Sequence, residues 1–98
     1  MGAKVTPGAP HASRESLQRE MSDTGLSPTW WSNGPGDTYG AHEHGYHKVL
    51  YCFTGSIVFH TDEGDIAMKA GDRLDLDEGT RHSATVGPEG VVCAESPR

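Results

Sequence analysis

The chain has 98 residues, a formal net charge of −6 and a hydrophobic fraction of 34%. This length allows one domain with a small core. The acidic balance, without a basic patch, argues against nucleic-acid binding, and no stretch approaches the ~20 apolar residues that span a bilayer. The N-terminal segment lacks the apolar region of a secretory signal, so we expect a cytoplasmic protein with two reduced, buried thiols, Cys52 and Cys93.

The N-terminal third contains one predicted helix. Residues 1–12 are small and polar, and they predict a disordered tail. The next segment, SRESLQREMSDTGL, predicts a short helix in which Leu17 and Met21 form an i,i+4 apolar pair. A turn-rich connection with two tryptophans follows, so the helix and the connection together occupy residues 13–34.

Short strands separated by glycine-containing turns dominate residues 35–98 and predict an all-β sandwich or small barrel. The alternating segment GDRLDLDEG is typical of a half-buried strand, whereas HKVLYCF is apolar on both faces. The second face of that strand needs cover from the helix, the tryptophan segment or another subunit, so we expect a homodimer or a larger assembly. The predicted strands lie near residues 38–44, 47–54, 56–61, 65–69, 72–77, 81–86 and 90–95.

The segment GAHEHGYHK contains three of the six histidines. Residues two apart share one face of a strand, so His42 and His44 can point together into a barrel. Imidazole is a frequent ligand of Zn, Fe, Ni and Cu. A third ligand must come from another strand, and His82 in GTRHSATV is the best candidate. Taken alone, His-x-His is a weak signal, because two such histidines are often solvent-facing polar residues.

The residues around these histidines resemble the first motif of the cupin family. That motif consists of Gly, five residues, His-x-His, three or four residues, Glu, six residues and Gly. The chain matches this spacing from Gly36 to Gly55, with His42 and His44 at the histidine positions. The departure is Lys48, which stands where the family has its glutamate.

The second cupin motif also has a counterpart in the chain. The motif consists of Gly, five residues, Pro-x-Gly, two residues, His, three residues and Asn. The chain matches it from Gly71 to Val86, with His82 at the histidine position. Asp77 replaces the proline and Val86 replaces the asparagine, which affects turn rigidity and packing.

The resemblance implies an antiparallel jelly-roll barrel over residues 35–98, preceded by one short helix. It also implies a divalent metal ion inside the barrel, held by His42, His44 and His82. The identity of the metal stays open among Fe, Zn, Ni, Mn and Cu, because coordination geometry does not follow from sequence.

Lys48 conflicts with this implied site, because its ammonium about 5 Å from a divalent cation would be repelled by roughly 6 kcal/mol at an effective dielectric near 20. In one alternative, a bulge at Gly45 and Tyr46 turns His47 inward as a ligand and Lys48 outward. In a second, three histidines bind the metal, as in some cupin dioxygenases, and Lys48 bends to a nearby acid or stays neutral. In a third, no metal binds, and Lys48 and the histidines hold an anion. We favour the bulge, because glycine followed by an aromatic residue suits an irregular strand entry.

The resemblance further implies a small-molecule ligand in the same cavity. Tyr39 and Tyr46 flank the histidines and are, with Lys48, the candidate substrate contacts. The leading hypothesis is a metal-dependent enzyme of the oxygenase, isomerase or lyase type, since an open coordination position would bind substrate. The alternative is a non-catalytic module that binds or senses a small ligand. No catalytic residue is assigned.

Overall fold

The computed structural model describes residues 2–98, which form one antiparallel sheet of seven strands and one helix. The strands follow the spatial order β1-β6-β4-β7-β2, with β3 paired to β7 and β5 paired to β4. The predicted all-β fold with one short helix is confirmed. The elements are β1 (Ala3–Thr6), α1 (Arg14–Asp23), β2 (Thr29–Asn33), β3 (Thr38–His42), β4 (Lys48–Thr61), β5 (Gly64–Lys69), β6 (Arg73–Leu76) and β7 (His82–Pro97).

Two long strands organise the sheet. β4 and β7 pair from Lys48 opposite Pro97 to Thr61 opposite His82. The beginning of β4 also pairs with β6 and its end with β5, while the beginning of β7 pairs with β3 and its end with β2. Each long strand therefore runs through both halves of the barrel.

The strands predicted as 47–54 and 56–61 are one strand, and so are those predicted as 81–86 and 90–95. The predicted breaks are bulges, with register shifts on both sides of Thr54 and Gly55. Gly55 and Gly90 both have a φ of +79°, and a Cβ at Gly55 would lie 1.9 Å from the Gly90 carbonyl oxygen. Glycine here lets the two strands bend past each other without ending.

The bend brings inward-facing side chains from both halves of the sheet into one core. This core contains apolar residues from β4, β5, β6 and β7, and Ala3, Val5, Trp31, Tyr39 and Ile66 pack against it. Its buried members are Leu50, Cys52, Ile57, Phe59, Met68, Leu74, Leu76, Ala84, Val86, Val91 and Cys93.

A second, smaller core lies between α1 and the outer face of β4. Leu17 and Met21 are fully buried against Val49, Tyr51 and other residues of this cluster. The helix begins with a capping box, in which Ser13 and Ser16 each accept a hydrogen bond from the other's backbone N–H (3.1 and 3.2 Å, respectively). The predicted helix and its apolar pair are confirmed.

Residues 3–6 form a strand, which corrects the expectation of a disordered tail over residues 1–12, and residue 1 of that range lies outside the described residues. β1 pairs with β6, with Ala3 opposite Leu76 and Val5 opposite Leu74. Ala3 and Val5 alternate with polar residues, so they reach the core while β1 completes the hydrogen bonding of β6. The connection also contains a strand that the prediction missed, since β2 pairs with β7 and carries both tryptophans.

Both apolar faces of β4 are covered within one chain, by the barrel core and by α1. Within residues 2–98, Tyr46 is the one large hydrophobic residue that is exposed. The expected homodimer therefore stays a prediction that rests on unpaired strand edges alone. α1, the one helix in the described part of the chain, has neither the length nor the apolar character needed to cross a bilayer.

Truncating the helix anchor should destabilise the whole domain. We expect Leu17→Ala to lower the free energy of unfolding by about 2–5 kcal/mol, because it leaves a cavity between α1 and β4. The neighbouring Arg19→Ala is the control, and its side chain is exposed, so we expect a change within about 0.5 kcal/mol. Urea unfolding followed by tryptophan fluorescence measures both. Equal effects of the two variants would contradict a packed helix.

Candidate metal centre

Strand register places two of the four predicted ligands side by side. His42 ends β3 and lies opposite His82, which begins β7. The register shifts between Tyr39 and His42, so the irregularity lies inside β3 and not at residues 45–46. His44 follows β3 in a loop, and its carbonyl oxygen accepts a hydrogen bond from the backbone N–H of Gly79 (2.8 Å).

The side chains of His42, His44 and His82 converge. One ring nitrogen from each lies within 4.8 Å of the others. The ring centroids of His42 and His82 are 4.3 Å apart, and those of His42 and His44 are 4.9 Å apart. The Nε2 atom of His44 is buried without a hydrogen-bond partner. A buried ring nitrogen without a partner is costly unless something else binds it.

Backbone carbonyls set the tautomers of the other two rings. Nδ1 of His42 lies 2.8 Å from the carbonyl oxygen of Gly40, and Nδ1 of His82 lies 2.9 Å from that of Thr80. A carbonyl oxygen only accepts, so each Nδ1 is protonated and donates. In the neutral rings this leaves the Nε2 lone pairs free, which is the usual arrangement around a histidine-bound metal ion.

The surroundings of the cluster favour neutral imidazoles. Burial, Lys48 and the other two histidines lower the pKa of His44 below its usual 6.5. Burial also lowers the pKa of His82, with contributions from His42 and Lys48, although the hydrogen bond to Thr80 opposes the shift. Neutral imidazole is the form that ligates a metal ion, so these residues fit a divalent cation.

Lys48 points into the barrel and is paired with an acid. It is 7% exposed, and its Nζ lies 3.3 Å from Oε1 of Glu95 on β7. The same oxygen accepts a hydrogen bond from Nε1 of Trp31 (2.7 Å). This is the arrangement of the second alternative, in which three histidines converge and Lys48 turns to a nearby acid.

The favoured prediction that His47 faces inward is wrong. His47 lies on the outer side of the sheet, where Nε2 is 3.2 Å from Asp75 and Nδ1 is 3.3 Å from Asp77. Residues 43–47 form a loop, and β4 begins at Lys48 with regular alternation, so Lys48 shares the inward face with Leu50. No bulge intervenes at residues 45–46 to reverse this parity.

A cavity of about 300 Å³ extends from His42 and His82 into the barrel. Tyr39 lines it, stacks edge-on against Trp31 and donates a hydrogen bond to Asn33. Tyr46 lies outside the cavity wall and packs on the ring of His44. The wall is formed by Trp31, Tyr39, His42, Lys48, Leu50, Phe59, His82, Ala84 and Glu95.

Sequence reasoning missed Glu95, and it considered Trp31 only as part of the segment that could cover the second face of HKVLYCF. The alternation within VVCAES could have indicated that Glu95 faces the interior. Val91, Cys93 and Glu95 share one face of a strand, and the other two residues of that face are apolar. A carboxylate on such a face requires a partner, and Lys48 provides it.

Comparison with solved structures identifies the fold. A cupin-2 domain protein from Shewanella frigidimarina superposes with a TM-score of 0.63, at 18% identity, over 74% of this chain and 71% of that one. A DUF861 family protein from Thermotoga maritima superposes with a TM-score of 0.64, at 14% identity, over 98% of this chain and 99% of that one. The protein has the cupin fold.

Two further similarities concern individual proteins. A DMSP lyase structure superposes with a TM-score of 0.69, at 24% identity, over 74% of this chain and 38% of that one. The oxalate-binding protein of Thermotoga maritima is 40% identical over 50 residues, which is 50% of this chain. This chain spans 41% of the length of that relative. No protein-family model matches the sequence.

The lowered histidine pKa values predict that acid destabilises the metal-free cupin domain. Above the unfolded-state pKa near 6.5, His44 and His82 are neutral in both states, and stability is at its full value. As the pH falls below 6.5, the unfolded chain binds protons that the folded protein does not bind. The free energy of unfolding therefore decreases until the pH has passed the lower folded-state pKa values.

Urea unfolding of the metal-free protein between pH 8 and pH 5 measures this loss. The double variant His44→Gln/His82→Gln is the control, and its stability should vary less over the same range. Stability that is constant or rises as the pH falls from 6.5 would contradict the assignment.

Proposed function

We propose that this protein binds a divalent metal ion through His42, His44 and His82, and that the metal site and Lys48 together bind a small carboxylate anion. The observation that carries the proposal is the convergence of three imidazoles on one point, with the His44 Nε2 atom buried and unpartnered. A metal ion bound there would act as a Lewis acid with open coordination positions.

The chain's own charges favour an anionic ligand. The three ring systems are neutral in the form that ligates a metal, and Lys48 is balanced by Glu95, so no anionic group of the site neutralises a bound cation. Trp31, Leu50 and Phe59 add apolar surface to the cavity wall, and the volume of about 300 Å³ limits the size of the ligand. The similarity to a protein named for oxalate binding supports a small carboxylate.

A metal-dependent enzyme, of the oxygenase, isomerase or lyase type, is the second candidate. The observation that favours it is the Lys48–Glu95 pair, since an ammonium and a carboxylate 3.3 Å apart inside the cavity can exchange a proton with a bound molecule. Nε1 of Trp31 donates to the same oxygen of Glu95 that faces Lys48, so the carboxylate has a fixed direction. The similarity to a DMSP lyase structure makes a lyase the first class to test. Consumption of the bound anion, followed by NMR, would distinguish the enzyme from a binding protein.

Metal affinity should depend on the three clustered histidines alone. We expect His42→Ala, His44→Ala and His82→Ala each to weaken Zn²⁺ binding by more than tenfold, because losing a ligand costs at least as much as losing a partner of a ligand. The controls are His47→Ala and His60→Ala, whose rings bind Asp75 and Asp65 away from the cluster.

Titration calorimetry with Zn²⁺ on tag-free protein measures these affinities, and element analysis of the purified protein identifies the native metal. Loss of Zn²⁺ affinity in His47→Ala equal to that in His42→Ala would overturn the assignment of the three ligands.

Oxalate is the probe for the anion. We expect oxalate to bind the Zn²⁺-loaded protein and to bind roughly 10–100-fold more weakly to Lys48→Met, because a hydrogen bond to a charged group contributes about 1.5–3 kcal/mol. Since Lys48→Met also leaves Glu95 unpaired, the double variant Lys48→Met/Glu95→Gln is measured beside it and should show the same loss. Lys4→Met, an exposed lysine of β1, is the control. Oxalate binding that is equally strong without Zn²⁺, or unchanged in both Lys48 variants, would contradict the proposed anion site.

A further inference from the structure

Two cysteines face each other across the long strand pair. Cys52 on β4 is the register partner of Cys93 on β7. Both thiols are free, and both residues are 0% exposed. By alternation they lie on the inward face of the same strands that carry Lys48 and Glu95, and neither the metal centre nor the anion site uses them.

The backbone shows which kind of cross-strand pair this is. The N–H of Cys52 donates to the carbonyl of Asp72 (3.0 Å), and the carbonyl of Cys52 accepts from the N–H of Gly71 (2.9 Å). Both backbone groups of Cys52 therefore point away from β7, which makes Cys52 and Cys93 a non-hydrogen-bonded pair. The Cα atoms of such pairs are typically about 4.5 Å apart, and disulfides span Cα separations of about 4.4–6.8 Å.

Each thiol also changes the pKa of the other. A hydrogen bond from Cys93 lowers the pKa of the Cys52 thiol, although burial opposes the shift. The same hydrogen bond, together with burial, raises the pKa of Cys93 well above its usual range. When one proton is lost, the negative charge therefore resides on Cys52. The neutral Cys52 thiol has only weak alternatives, at 3.6 Å from the carbonyl oxygens of Thr54 and Gly55.

We propose that Cys52 and Cys93 are a modification site, at which a peroxide converts the two thiols into an intramolecular disulfide between β4 and β7. The Cys52 thiolate attacks one peroxide oxygen, an S–O bond forms as the O–O bond breaks, and the leaving hydroxide takes a proton and becomes water. The Cys93 sulfur then attacks the Cys52 sulfur, an S–S bond forms as the S–O bond breaks, and the second hydroxide leaves as water with the Cys93 proton. Two thiols and one hydrogen peroxide give one disulfide and two waters.

The bridge would close a loop over residues 53–92, which contains β5, β6 and His82. It would also lock the register of β4 and β7 next to the Lys48–Glu95 pair, since Cys93 and Glu95 are two residues apart on one strand. The inference is independent of the proposed function, because it involves neither a metal ion nor an anion.

Mass spectrometry of the metal-free, reduced protein treated with hydrogen peroxide tests the proposal. We expect the monomer to lose the mass of two hydrogen atoms, and digestion to yield one linked pair of peptides containing Cys52 and Cys93. Dithiothreitol should restore the original mass. Cys52→Ser and Cys93→Ser are the matched controls, and neither should show the loss within one chain.

Three outcomes would overturn the proposal. The first is a disulfide between two chains in place of one within a chain. The second is oxygen addition to either cysteine without an internal S–S bond. The third is that both thiols of the folded protein stay reduced over the time in which peroxide oxidises the urea-unfolded protein. The wild-type measurement decides among these even if a serine variant fails to fold.

Discussion

The pairing of β4 with β7 is the constraint on which the site depends. These strands run beside each other from Lys48 and Pro97 to Thr61 and His82, through both halves of the barrel. Because side chains alternate between faces, a single register decides which residues meet inside. It sets Glu95 within reach of Lys48 and Cys93 opposite Cys52. A slip of one residue in either strand would turn that strand's inward side chains outward and would disperse the core.

The short strand β3 and the loop that follows it position two histidines of the site. β3 pairs with the beginning of β7 and thereby brings His42 to His82, while the loop after β3 returns His44 to the same point. α1 packs on the opposite face of β4, where Leu17 and Met21 cover Val49. Because α1 buries the outer face, the barrel interior can contain a polar cavity without leaving the domain short of apolar contacts.

Some of this arrangement could be predicted from sequence and some could not. The spacing of His42, His44 and His82 resembles the cupin motifs closely enough to predict the fold and the meeting of three imidazoles. The position of His47 could not be predicted, because it depends on Asp75 and Asp77, which are distant in sequence and bind His47 on the outer face. A local pattern such as Gly45–Tyr46 indicates irregular backbone but does not say on which side the next residue lies.

The other differences between the predictions and the structure also arise from pairing between residues that are distant in sequence. Residues 3–6 are too short and too polar to predict a strand on their own, and they form one because β6 offers an unpaired edge. Glycine at position 55 is compatible with a turn and with a bulge. The close approach of Gly90 on β7 makes it a bulge, because β4 and β7 stay paired beyond this point. Helix α1 was predictable because its signal, the i,i+4 apolar pair of Leu17 and Met21, is local.

The exchange of a carboxylate ligand for Lys48 changes the charge of the cavity more than its shape. A glutamate at this position would have neutralised half the charge of a divalent cation. Lys48 instead pairs with Glu95, and opposite unit charges 3.3 Å apart attract by about 5 kcal/mol at an effective dielectric near 20. That attraction is similar in size to the repulsion expected between the ammonium and a nearby cation, so the lysine can stay charged inside the barrel. A cation held by three neutral imidazoles would keep its double charge, and an anionic ligand is what would balance it.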